Sequence, residues 1–239
     1  MSYKNLLPEL SLADIWASKD IAKDWSKVEQ PLEDLGIPDE TGGVNPGDRR
    51  AIYYLMRHFK PKRVLETGTH IGASTIYTAA ALEPDASMTT VDILDVNSEE
   101  KKNWLKYKTE RSPAAMLRSL GLENKVEFVV GKSLDYLPSA GMFDFIFLDG
   151  DHGAPTVHDE IPLALEHLNP GGAILLHDYF PNGEPIWVDY WAKVIDGPYL
   201  AVEQLRSEGL RIRAVPLGEL PWPTTLKTNL TSLAILLQD

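Results

Sequence analysis

Apolar positions in this chain follow two rhythms. Near the start they fall at helical spacing: Leu12, Ile15, Trp16 and Trp25 share a face, and Pro31, Gly36 and Pro38 close that segment. Thr41 to Gly47 reads as a loop, and a helix is predicted over about Asp48 to Phe59, ended by Lys60-Pro61. From there short β-branched and aromatic runs alternate with helical stretches. Strands are predicted at Arg63 to Glu66, Ser87 to Asp92, Val126 to Val130, Phe143 to Leu148 and Ala173 to Leu176. Helices are predicted at about Ala73 to Leu82, Ala114 to Leu120 and Thr156 to His167, with a short one after Ser133 and a helical stretch between Pro185 and Ser207. Asn169-Pro170-Gly171-Gly172 reads as the break before the fifth strand. Then the alternation stops: Leu210 to Val215 and Leu233 to Leu237 have no helix between them and predict an antiparallel hairpin at the edge of an otherwise parallel sheet. The expected architecture is α/β, a doubly wound, Rossmann-like sheet. Residues 1–41 are expected to form an N-terminal helical extension, residues 42–239 a single domain, and residues 95–113 an inserted cap segment, because the connection from Asp95 to Gly121 is longer than one helix needs.

The first predicted strand carries the most chemistry. Val64-Leu65-Glu66-Thr67-Gly68-Thr69-His70-Ile71-Gly72-Ala73-Ser74 is an apolar run, an acid, two glycines four apart and the start of a helix. A strand, a tight turn and a helix N-terminus in that order hold nucleotide-like ligands on doubly wound sheets, with glycines where backbone and ligand approach closely. Glu66 would repel a pyrophosphate and suits an ammonium group, which points away from NAD and towards S-adenosylmethionine. Asp92, ending the second strand, is placed to take ribose hydroxyls; the alternative for it is a turn or helix-cap aspartate.

Composition narrows the partners. The chain has 239 residues, 44% hydrophobic and 24% charged, as expected of a globular domain with a core. Its net charge of −12 disfavours nucleic acid, whose affinity rests on Lys and Arg; the basic cluster Lys101 to Lys108 is interrupted by Glu99, Glu100 and Glu110 and reads as a solvated face. No apolar run approaches membrane-spanning length. Met1 to Leu10 lacks the pattern of a signal peptide, so none is expected, and the absence of cysteine rules out thiolate chemistry and fits a cytoplasmic protein. A small-molecule partner is expected, with no nucleic acid and no membrane.

With these motifs placed, the chain resembles the class I S-adenosylmethionine-dependent methyltransferases from about Gly42 onward, most closely the catechol and caffeoyl-CoA type of small-molecule O-methyltransferase and its bacterial natural-product relatives. The resemblance rests on Gly42-Gly43-Val44, Glu66-x-Gly68-x-x-x-Gly72-x-Ser74, Asp92, Phe143 to Asp149, and Gly171-Gly172 followed by His177-Asp178. It implies a seven-stranded sheet of order 3-2-1-4-5-7-6 with strand 7 antiparallel. It places Glu66, Gly68, His70 and Ser74 at the methionine end of the cofactor, with Thr69 and Gly72 among the cofactor-binding residues, Asp92 at the ribose, Lys132-Ser133 beside the adenine, with Ser133 as the binding residue, and Asp149 beside the cofactor. The family often has an acid where Lys132 stands.

Asp149 and Asp178, ending the fourth and fifth strands, face one crevice and match the family's divalent-metal ligands; Mg²⁺ suits carboxylates, and nearby His152 and His177 suit a transition ion better. The family's third ligand position holds Tyr179 here, and Asp151 is a candidate replacement. His152 falls where the family places a catalytic Lys and is the expected base, with His177 as its competitor and Asp149 beside both. The aromatic cluster Tyr179, Phe180, Trp187, Tyr190 and Trp191 divides between core packing and a wall for an aromatic or apolar methyl acceptor. The expected activity is methyl transfer to a hydroxyl of a small molecule, with natural-product tailoring as the setting suggested by analogy and a homodimer as an expected assembly. The alternatives are a metal-independent N- or C-methyltransferase, a non-catalytic S-adenosylmethionine-binding subunit and a NAD-dependent oxidoreductase.

Overall fold

The computed structural model describes residues 6–39, 43–186, 194–224 and 228–239. Its centre is a seven-stranded sheet in the order β3-β2-β1-β4-β5-β7-β6. The strands are β1 (Arg63–Thr67), β2 (Ser87–Asp92), β3 (Val126–Val130), β4 (Phe143–Leu148), β5 (Leu168–Leu176), β6 (Ile212–Pro216) and β7 (Ala234–Gln238). The first five pair in parallel, and β7 runs antiparallel between β5 and β6. This is the expected architecture and order.

Helices cover both faces. On one lie α1 (Leu12–Trp16), α2 (Lys19–Glu33), α3 (Pro46–Phe59), α4 (Ala73–Ala81) and α5 (Pro113–Ser119); the other carries α6 (Ser133–Tyr136), α7 (Ala154–Glu166) and α8 (Gly197–Ser207). Central strands bury both faces, so alternate residues feed opposite cores. Phe145, Phe147, Ala173 and Leu175 join the α2–α5 side, while Ile146, Leu148, Ile174 and Leu176 join the α7–α8 side. Two-sided burial is why these strands read as unbroken apolar runs.

Several boundaries depart from expectation. Pro31 does not close the first segment; α2 runs through it to Glu33, because the buried Leu32 anchors the last turn. Asn169 to Gly172 is not a break before β5 but part of it. The register shifts between Phe143 and Phe145, where β4 pairs first with Leu168 and then with Ala173. Gly171 takes φ +79 there, and a Cβ on Gly172 would stand 2.8 Å from the Asp144 carbonyl oxygen. Of the helical stretch expected between Pro185 and Ser207, Gly197–Ser207 forms α8 and Pro185 and Ile186 are not helical; residues 187–193 lie outside the described residues. Residues 95–112 contain a single 3₁₀ turn, Asn103–Tyr107, and lead back to α5, whose Pro113 lies on the β1–α4 turn.

Candidate active site

The β1–α4 turn is held by a buried polar knot. The Thr75 and Thr90 hydroxyls donate to Glu66 Oε2 at 2.5 and 2.6 Å. Thr90 has then spent its only proton, so Thr69 donates in the 2.7 Å bond between the two threonine hydroxyls. Glu66 Oε1 is buried without a hydrogen-bond partner, and burial lifts the carboxyl to about 7 against the pull of the hydroxyls around it. Gly68 crosses between strands: its N–H donates to the Val91 carbonyl, its φ is +90, and a Cβ would lie 2.0 Å from the Asp149 carbonyl oxygen. Gly72 begins α4 at φ +79, with Pro113 so close that a Cβ would come within 2.7 Å of it. Both glycines are therefore required sterically.

Above this turn opens a cavity of about 660 Å³. Gly68, His70, Asp92, Ser133, Asp149, Asp151 and His152 line it, together with Trp104 and Tyr107 from the 3₁₀ turn. Asp92 is fixed by the backbone N–H groups of His70 and Leu94, each donating at 2.8 Å to a different oxygen. The His70 ring packs edge-on to Tyr107 with centroids 4.2 Å apart, and burial lowers its pKa although Asp149 and Asp92 oppose that. Glu66, Thr69, Gly72 and Ser74 are absent from this wall and build the turn beneath it. The cavity suits an adenosyl nucleoside: open glycine backbone at one end, a pinned carboxylate for ribose hydroxyls, and a second carboxylate, Asp149, for an ammonium group.

Around Asp149 and His152 of its wall the strand termini bring charged groups together. His177 Nδ1 lies 2.9 Å from Asp149 Oδ1 and 3.5 Å from Asp178 Oδ1. The nitrogen satisfies no aligned hydrogen bond, so charge rather than hydrogen-bond direction holds the 2.9 Å pair. His152 Nε2 stands 3.5 Å from Asp178 Oδ2 and 3.9 Å from Asp149 Oδ1. Burial opposes a charge on His177, yet Asp149 and Asp178 raise its pKa well above the imidazole range. Burial likewise opposes ionisation of Asp178, but His177 and His152, with the Ser232 hydroxyl, hold it down at about 2. One nitrogen or oxygen each from Asp149, His152 and His177 gathers within 4.8 Å, a grouping able to hold a metal ion.

The structure thus brings Asp149, His152, His177 and Asp178 together as expected, but not Asp151. That carboxylate accepts from the Gly153 N–H at 2.9 Å and the Thr156 hydroxyl at 2.8 Å, which lower its pKa and commit it to the entry of α7. Tyr179, at the family's third ligand position, is buried in the α7–α8 core against Tyr199, and Phe180 is buried too, so neither is a substrate wall. Trp187, Tyr190, Trp191 and Gly42 lie outside the described residues.

Two charged residues at the site escaped the sequence reading. Asp48, fully buried in the first turn of α3, has Oδ2 3.8 Å from His177 Nε2. Glu160 on α7 is 1% exposed, and burial with Asp151 nearby pushes it up to about 7 although the Ser133 side chain pulls the other way. Each takes an apolar slot in its helix: Asp48 precedes Ala51, Ile52 and Leu55, and Glu160 follows Val157 and precedes Ile161 and Ala164.

Comparison with known proteins agrees with this geometry. A methyltransferase domain family matches residues 65–179. A catechol O-methyltransferase of Niastella koreensis is 28% identical over 160 residues, covering 64% of this chain and 64% of that protein, so the chain spans less than two thirds of that relative's length. Among solved structures, the Streptomyces achromogenes O-methyltransferase TomG, involved in tomaymycin synthesis and in complex with SAM, superposes with a TM-score of 0.60 at 23% identity, covering 90% of this chain and 89% of that one. A Bacillus cereus O-methyltransferase in complex with SAH gives 0.59 at 20% identity with 95% of each chain covered. No helix among the described residues is long and apolar enough to cross a membrane. Glycine turn, paired strand-end acids and sheet order agree with that match: residues 65–179 are similar to a methyltransferase domain, and the whole described chain has the fold of the O-methyltransferases it resembles.

Proposed function

We propose that this protein transfers the methyl group of S-adenosylmethionine to a hydroxyl of a small molecule, with His152 as proton acceptor and a divalent cation assisting. The observation that carries the reading is the convergence of Asp149, Asp178, His177 and His152, of which Asp149 and His152 line the cavity. Asp92 takes the ribose hydroxyls, Ser133 flanks the adenine, and Asp149 stands nearest the ammonium end. The segment with Trp104 and Tyr107 caps the cofactor. Methyl transfer is an in-line displacement: the acceptor oxygen forms a bond to the methyl carbon as the carbon–sulfur bond breaks, leaving S-adenosylhomocysteine. The hydroxyl proton goes to His152 Nε2, on the most exposed side chain of the cluster and oriented by Asp178.

The donor set fits a cation. Asp149, Asp178 and His177 converge from two strand ends, and the mixture of imidazole and carboxylate suits a first-row transition ion better than Mg²⁺. When bound, such a cation lowers the pKa of an acceptor hydroxyl and anchors it. The test is turnover of hydroxyl acceptors followed by S-adenosylhomocysteine release. His152→Ala should lower kcat by about 10²–10⁴ while leaving cofactor affinity intact. Wild-type kcat in the variant would remove His152 from the proton transfer.

A further inference from the structure

Behind His177, on the side away from Asp149, lies a third carboxylate. Asp48 is 0% exposed. Its backbone N–H donates to Asn45 Oδ1 at 3.0 Å, and Asn45 Nδ2 donates back to Asp48 Oδ2 at 2.6 Å. The reciprocal pair fixes the carboxylate at the start of α3. The same Oδ2 lies 3.8 Å from His177 Nε2, and Oδ1 is buried with no hydrogen-bond partner. A helix needs none of this: Asn45 caps α3 without help, and an unpartnered buried carboxylate oxygen costs stability. Counting charges, Asp48, Asp149 and Asp178 bring three negatives, and His152 and His177 bring at most two positives. The cluster keeps a surplus of negative charge.

We propose that Asp48 is a positioning residue for the cation site: it draws the His177 ring proton to Nε2 and so presents the Nδ1 lone pair to the site between Asp149 and Asp178. Metal-ligating histidines commonly have their second ring nitrogen held by a carboxylate, and loss of that partner weakens the metal without removing a ligand; at 3.8 Å Asp48 acts on Nε2 through its charge rather than through a hydrogen bond. The inference rests on the cation reading above. Asp48 lines no part of the cofactor cavity and reaches the site through His177 alone, yet it sets the affinity of the site and does so at a cost to the fold.

Cobalt(II) is the probe, titrated into the full chain by calorimetry and by visible absorption, with S-adenosylhomocysteine affinity and Tm measured in parallel. The wild type should bind Co²⁺. Asp48→Asn, which keeps the volume and removes the charge, should weaken Co²⁺ on the order of 10–100-fold. It should leave S-adenosylhomocysteine affinity unchanged and Tm without the cation unchanged or raised, because one of three crowded carboxylates has been neutralised. A merely structural role gives the opposite pattern, a lowered Tm with Co²⁺ affinity retained, and that result overturns the proposal, as does equal affinity in both proteins. Should Asp48→Asn fail to fold, Asn45→Ser decides: it keeps a capping oxygen but releases Asp48 Oδ2, and must still weaken Co²⁺. A wild type that binds no Co²⁺ overturns the cation reading itself, and with it the role of Asp48.

Discussion

Gly68→Ala is the sharpest structural test of how the site is assembled. Two penalties act at that position. The backbone stands at φ +90, where a residue with a Cβ is strained by roughly 1–2 kcal/mol. The new Cβ would also lie 2.0 Å from the Asp149 carbonyl oxygen and 2.5 Å from its carbonyl carbon. Backbone cannot swing aside as a side chain can, so β1 and β4 must part, adding an overpacking cost of about 1–3 kcal/mol. The sum, ~2–5 kcal/mol, corresponds to a Tm fall of roughly 5–15 °C in a chain of this size. Gly121→Ala is the control: its φ is +70 but nothing lies within 4 Å of the added Cβ, so it carries the first penalty alone. Thermal melts of the three proteins separate the terms, and S-adenosylhomocysteine titration shows whether displacing Asp149 also spoils the cavity. If Gly68→Ala melts no lower than Gly121→Ala, the close crossing of β1 over Asp149 is not what requires glycine there.

Glu160→Gln should stabilise the fold above neutral pH. The folded-state carboxyl, raised to about 7, holds its proton better than in the unfolded chain, so its contribution is full at low pH and is lost as pH rises towards 7. Urea melts at pH 8 should show a gain on the order of 2–3 kcal/mol that shrinks as pH falls to 5, and a gain independent of pH would contradict the buried-acid account. Excess chelator should abolish turnover and Mn²⁺ or Co²⁺ restore it; full activity in chelator would leave Asp149 and Asp178 to orient cofactor and acceptor only.

The sheet was legible because its central strands are buried on both faces. Phe143–Leu148 has the predicted ends because a mostly apolar run bounded by turn residues leaves little freedom; Ser87–Asp92 and the edge strand Val126–Val130 also have the predicted ends, marked by β-branched residues and the turns beside them. Asn169-Pro170-Gly171-Gly172 misled because the residues that make a turn also make a bulge, and only the pairing of Phe143 with Leu168 tells them apart. The strand-end acids were legible from the fold rule that ligands gather at carboxyl ends. Asp48 was not: it is remote in sequence from His177, and an acid in a helix's first turn has an ordinary explanation in the helix dipole. The signal available for it, and for Glu160, was a charge standing in an apolar slot of a helix. Asp151 was not legible as a turn residue: its two oxygens accept from the Gly153 N–H and the Thr156 hydroxyl, a role its nearness to Asp149 in sequence does not reveal.

The central claim is that the cavity above Gly68 holds an adenosyl cofactor with Asp92 on the ribose. Titration calorimetry of S-adenosylhomocysteine into the wild type and Asp92→Ala tests it most directly. One site of micromolar affinity is expected in the wild type and a loss on the order of 1–3 kcal/mol in the variant, the cost of leaving ribose hydroxyls unpaired. No heat from the wild type, or equal affinity in the two proteins, would contradict it.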